Sequence, residues 1–98
     1  MSGFVLTPAA QDDIVRILTY IELESQPAST RVLDALEKAM QRLADHPEIG
    51  HARPDLTRHD VRFWSVFSYL VIYRSNTVPL EIIRVLHGKR NIRRVMEE

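Results

Sequence analysis

The 98-residue sequence contains no cysteine, which removes both a disulfide framework and any thiolate metal site. Its four histidines, His46, His51, His59 and His87, stand at no spacing used by zinc ligands, so no metal is expected. No phosphate-binding loop, nucleophile elbow or paired acidic site is present, and no cofactor is expected. Glu22 and Glu24, two residues apart, cannot share a helix face. No apolar run approaches the roughly 18 residues of a membrane span. The N-terminus runs directly into Phe4-Val5-Leu6 without a basic stretch ahead of an apolar one. A soluble, cytoplasmic protein without a leader is therefore expected.

Net charge is lacking too, since 13 Lys and Arg balance 13 Asp and Glu. The balance hides a division. Residues 1–49 carry eight acids and four bases, whereas residues 50–98 carry five acids and nine bases. That asymmetry suits one surface to a basic or apolar partner and another to an anionic one. With 45% apolar and 27% charged residues, the composition is that of an ordinary globular chain. Its length allows one domain, 1–98, with one modest core.

Phe4-Val5-Leu6 reads as a short strand closed by Thr7-Pro8. Thr7 can cap a helix, and Pro8 suits its first turn because no amide donor is needed there. Asp12 and Asp13 fall in or just after that turn, near the positive helix end. Ala10, Ile14, Ile17, Leu18 and Ile21 then recur at helical spacing. Glu24-Ser25-Gln26-Pro27 breaks this helix. A second, from about Pro27 to Asp45, carries the stripe Val32, Leu36, Ala39, Met40 and Leu43, and Pro47 and Gly50 end it. The two helices read as an antiparallel hairpin. Residues 47–60 read as a loop. Val61 to Val66, Tyr69 to Arg74 and Leu80 to Leu86 are rich in β-branched and aromatic residues and predict three strands. Turns at Phe67-Ser68 and at Ser75 to Pro79 make them an antiparallel meander. Asn91 can cap a last helix, Ile92 to Glu97. The class is α+β: a helical hairpin packed on an antiparallel sheet, in the order β-α-α-β-β-β(-α).

The chemistry-bearing cluster is basic. Arg62 shares a strand face with Trp64 and Val66, and alternation gives Arg84 the face of Ile82 and Leu86. A cation beside an aromatic on a sheet can hold phosphate and stack a base. The competing reading is that Arg62 and Arg84 pair with local carboxylates such as Asp60 or Glu81. Lys89, Arg90, Arg93 and Arg94 follow the last strand. His87, at its end, is a candidate acid or base, although alternation sets it opposite Arg84. Val15 and Leu23 on the first helix, and Leu33 beside the second stripe, leave apolar groups at the flank of the hairpin, where a partner could dock.

Leu6-Thr7-Pro8-Ala9-Ala10 with Asp13-Ile14, Tyr20-Ile21, and Leu43-Ala44-Asp45-His46-Pro47 with Gly50 together resemble ParE toxins of the ParE/RelE superfamily. Val61-Arg62, Tyr69-Leu70-Val71-Ile72-Tyr73-Arg74 and Ile83-Arg84-Val85-Leu86-His87-Gly88 with Arg90 continue the resemblance over nearly the whole chain. It implies the toxin of a bacterial or plasmid toxin–antitoxin module, a RelE/ParE-like fold, and a hetero-oligomer with a cognate antitoxin. The antitoxin would wrap the hairpin flank at Val15, Leu23 and Leu33. ParE members stop DNA gyrase, here through Arg62, Trp64, Arg84, Lys89, Arg90, Arg93 and Arg94, with no catalytic residue. RelE-type relatives instead cut messenger RNA on the ribosome, and Arg62, Arg84 and His87 would echo their catalytic set. Residues 89–98 contain no tyrosine, which favours the ParE branch. A third alternative is an inactive member that only binds antitoxin. Direct nucleic-acid binding stays open.

Overall fold

Two side-chain caps start the helical hairpin. In the computed structural model, which describes residues 3–97, Thr7 Oγ1 accepts from the Ala10 amide at 3.1 Å and opens α1, Pro8–Glu22. Ser25 Oγ accepts from the Ala28 amide at 3.2 Å and opens α2, Gln26–Asp45. The break at residues 24–27 is therefore also the start signal of the second helix. Pro47–Ile49 forms a single 3-10 turn beyond α2.

The strands are β1 (Phe4–Leu6), β2 (Arg62–Val66), β3 (Tyr69–Arg74) and β4 (Leu80–His87), followed by α3 (Ile92–Glu97). They form one sheet in the order β1-β4-β3-β2. The expected meander is present, with β2 and β4 both antiparallel to β3. β1 joins it in parallel, Phe4 opposite Leu80 and Leu6 opposite Ile82, so the sheet is mixed. Asn91 caps α3 through its Oδ1, which accepts from the Arg94 amide at 3.2 Å.

Both faces of the sheet are covered. Ala10 and Ile14 of α1 and Leu36, Met40 and Leu43 of α2 bury against Val66, Val71, Tyr73, Leu80, Ile82 and Val85. Each fully buried aliphatic side chain here contributes about 1.5–3 kcal/mol. The other face gathers Val61, Phe63, Ile72 and Leu86 beneath Ile92 and Met96. α3 is thus a cover for the second face. His59 Nε2 lies 3.0 Å from the Met96 carbonyl oxygen and ties α3 to the preceding loop.

Strict alternation fails in β4. Tyr73 pairs with Ile82 but Ile72 with Arg84, leaving Ile83 as an extra residue at a bulge. Ile82 therefore faces the hairpin while Leu86 joins the opposite cluster. Arg84 shares the side of Leu86 and not that of Ile82, contrary to the simple two-residue period.

Candidate functional site

β1 covers only the first three residues of β4, so the edge of β4 beyond Ile82 needs another partner. The start of α1 supplies it. The Thr7 amide donates to Ile82 O at 3.1 Å, and the Thr7 hydroxyl donates to Ile83 O at 2.8 Å. Asp13 Oδ2 accepts from the Val85 amide at 3.0 Å. The same carboxylate receives the Arg84 guanidinium, Nε to Oδ2 at 2.6 Å and a second nitrogen to Oδ1 at 2.9 Å. The Asp13 side chain is 5% exposed and that of Arg84 22%. Such a two-point pair is a fixed structural bond. Neither Asp60 nor Glu81 takes Arg84, and Glu81 pairs with Arg74 at 3.0 Å.

Arg62 is engaged differently. It donates to the backbone oxygens of Glu48 and Gly50 at 3.0 and 2.9 Å. Tyr73, fully buried, completes this corner: its hydroxyl donates to Pro47 O at 2.7 Å and accepts from the Gly50 amide at 2.9 Å. Burial pushes the Tyr73 phenol above its usual pKa, against the Gly50 hydrogen bond, which favours the phenolate. A Cβ at Gly50 would run into the Tyr73 ring. Trp64 lies under the Arg42 guanidinium, 5.6 Å from the ring centroid. Arg62 and Trp64 share the hairpin side of β2, but each already has an intramolecular partner.

His87 packs edge-on against Tyr69, ring centroids 5.4 Å apart. Its Nδ1 accepts from the Lys89 amide at 3.0 Å. A neutral His87 bonded this way carries its proton on Nε2. Strand register separates the three residues of the nuclease constellation. Arg62 stands opposite Tyr73, Arg84 opposite Ile72 and His87 opposite Tyr69. Four residues of β3 set Arg62 and His87 roughly 13 Å apart along the strand. They are not brought together.

The remaining candidate cations lie on the turn after β4 and on α3. Lys89, Arg90, Arg93 and Arg94 are all exposed. Arg93 donates twice to Asp55 O, at 3.2 and 2.8 Å. Arg53 in turn bonds Asp55, and that hydrogen bonding holds the Asp55 carboxyl below the usual carboxylate range. On the hairpin, Val15 is 62% and Leu23 82% exposed. Leu33 is half-buried. Two exposed aromatics, Tyr20 and Phe67, were not among the candidates from sequence. Tyr20 lies between the helical stripe and Leu23. Phe67 stands in a turn, where apolar periodicity carries no signal. Among the described residues no group of His, Asp and Glu could hold a metal ion. No described helix is long and apolar enough to cross a membrane.

A helical hairpin laid on a mixed four-stranded sheet, with a basic turn behind the last strand, is a RelE/ParE-like α+β architecture. The fold is similar to that of a solved chain described as "Chromosomal ParDE TA system from P. aeruginosa". The TM-score is 0.71 at 18% identity, over 89% of this chain and 96% of that one. A family model described as "ParE toxin of type II toxin-antitoxin system, parDE" matches residues 4–92. The chain belongs to the ParE toxin family. It is 29% identical over 93 residues to Toxin ParE3 of Caulobacter vibrioides, spanning 94% of this chain and 92% of that one.

Proposed function

We propose that this chain is a cytoplasmic toxin that inhibits DNA gyrase by binding, with no catalytic chemistry of its own, and that a cognate antitoxin neutralises it in a hetero-oligomer. The observation that carries the non-catalytic reading is the engagement of Arg84. A phosphate-binding or catalytic arginine must be available to its ligand, whereas this one is held by the buried Asp13 carboxylate. Arg62 is similarly occupied with the carbonyls of residues 48 and 50. The surface for the target is then the turn and last helix, with Lys89, Arg90 and Arg94, and with Arg93 exposed although it bonds the Asp55 carbonyl; Arg62, Trp64 and Arg84 hold the scaffold. The flank at Val15, Leu23 and Leu33 is the antitoxin surface. Exposed apolar groups at Val15 and Leu23 support it, because they offer a partner area already in contact with water.

The decisive experiment measures supercoiling by purified gyrase in the presence of the purified chain. Loss of supercoiling with accumulation of cleaved DNA is expected. Charge reversal at Arg90 or Arg94 weakens it, because association loses an attraction that salt also screens. Intact supercoiling combined with cleavage of ribosome-bound messenger RNA overturns the reading in favour of a nuclease.

A further inference from the structure

The tip of the β2–β3 hairpin breaks a local rule. Val66 pairs with Tyr69, so Phe67 and Ser68 form a two-residue loop. Phe67 has φ of 54° and is the sole non-glycine residue with positive φ among those described. Two-residue hairpin loops favour glycine or asparagine at such a position, and a bulky side chain there is strained. Burial compensates little, since Phe67 is 70% exposed. A bulky residue held at positive φ and left largely exposed points to a ligand outside its own fold.

The surroundings of the tip state the chemistry of that ligand. The Gly88 amide donates to Ser68 O at 2.8 Å, which fastens the turn after β4 to the hairpin tip. Gly88 also lines an open cleft with Arg53, Leu70, Arg90, Ile92 and Arg93. Between Val61 and Met96 the sequence holds seven basic residues and one acid, Glu81. Glu81 is paired with Arg74 at the far end of β3. The side chains of Lys89 and Arg90 have no carboxylate partner among the described residues. An exposed ring on a tip hydrogen-bonded to a turn that carries two cations without carboxylate partners matches a base flanked by phosphates.

We propose that the Phe67 tip and the turn at residues 88–93 form a contact site for single-stranded nucleic acid, with an unstacked base on the Phe67 ring and the flanking phosphates on Lys89 and Arg90. This goes beyond gyrase inhibition and is tested without gyrase. Ring stacking serves any base, so recognition follows strandedness and not sequence.

The test is fluorescence anisotropy of the full chain with a labelled oligothymidylate of about 15 nucleotides and with a duplex of equal length. The wild type is expected to bind the single strand in preference to the duplex. The log of its affinity should fall with the log of salt, with a slope near −0.7 for each phosphate neutralised. Phe67→Gly should weaken binding roughly 5- to 150-fold, the equivalent of losing one stacked base. Glycine suits the positive φ, so this variant should melt at or above the wild-type temperature. Lys89→Glu and Arg90→Glu, at exposed positions, should weaken binding and flatten the salt slope. No binding at low salt, equal binding of duplex, or unchanged affinity in Phe67→Gly overturns the proposal. Gyrase inhibition that persists without oligonucleotide binding rejects this site and leaves the gyrase reading standing.

Discussion

Asp13 and Arg84, 71 residues apart in sequence, are joined by two hydrogen bonds across the uncovered edge of β4. The same carboxylate closes the edge by accepting the Val85 amide. Removing the arginine leaves a nearly buried carboxylate with one amide donor where it had a cation. Arg84→Ala should therefore lower unfolding stability by about 3 kcal/mol in urea titrations. A change well below about 1 kcal/mol would mean that the pair is not structural and that Arg84 is available to a target. Any loss of toxicity in an Arg84 variant has to be read beside its melting curve.

The corner formed by Tyr73 and Gly50 makes a second expectation. Tyr73→Phe removes the acceptor of the Gly50 amide and the donor to Pro47 O, at a cost of about 1–3 kcal/mol. The raised phenol pKa has a pH signature. Its contribution is complete below the unfolded value near 10 and is lost as pH rises through the higher folded value. Urea unfolding of the wild type should weaken over that alkaline window, and Tyr73→Phe should lose part of the dependence. Gly50→Ala should destabilise as well, because the buried ring has little room to move. A melting temperature equal to wild type for Gly50→Ala would contradict the tight approach.

The antitoxin surface proposed at Val15, Leu23 and Leu33 is tested best at its exposed members. Leu23→Glu and Val15→Glu should leave the melting temperature within about a degree, as surface changes do. Calorimetric affinity for the cognate antitoxin should drop about thirtyfold or more, since an unpaired carboxylate in an apolar contact costs at least about 2 kcal/mol. Leu33→Glu is the weaker probe because that residue is already partly buried. Unchanged affinity in both exposed variants would move the interface elsewhere.

His87→Gln separates binding from catalysis. Glutamine keeps an acceptor for the Lys89 amide while removing the titratable ring. Inhibition of gyrase should survive it. If the chain were a nuclease with His87 as acid or base, cleavage should instead fall by about 10² to 10⁴. Rapid translation arrest abolished by this change alone would replace the gyrase mechanism.

The elements were legible because each carries its own local signal. Apolar stripes at positions such as Ile14, Leu36 and Leu43 mark the helices, and Thr7, Pro47 and Asn91 mark boundaries. The connections were not legible to the same degree. β1 is three residues long and contains no information about which edge it joins. The bulge at Ile83 leaves no mark in a run of alternating β-branched residues, so Arg84 was assigned the side of Ile82. The sequence reading seeks its partner at Asp60 or Glu81 and takes Asp13 only as a charge at the helix end, although the position of Asp13 carries a signal. Asp13 falls beside Ile14 between Ala10 and Ile17, an acid within a buried stripe, and such a residue calls for a cation. For Arg62 the acceptors are backbone carbonyls, which every sequence possesses and none advertises. Phe67 was legible only as a turn. Its positive φ emerges from the tight Val66–Tyr69 pairing.

Parallel pairing of β1 with β4 also sets a schedule for synthesis. Thr7 leaves the ribosome early, yet its partner Ile83 follows 76 residues later. At roughly 5–20 residues per second, the first strand waits about 4 to 15 seconds for the strand it must join. During that interval the helical hairpin exists without the sheet that covers its apolar stripe. A chain stopped before β4 has neither the strand nor the basic turn behind it. The surface proposed for the target thus exists only in molecules translated almost to their end.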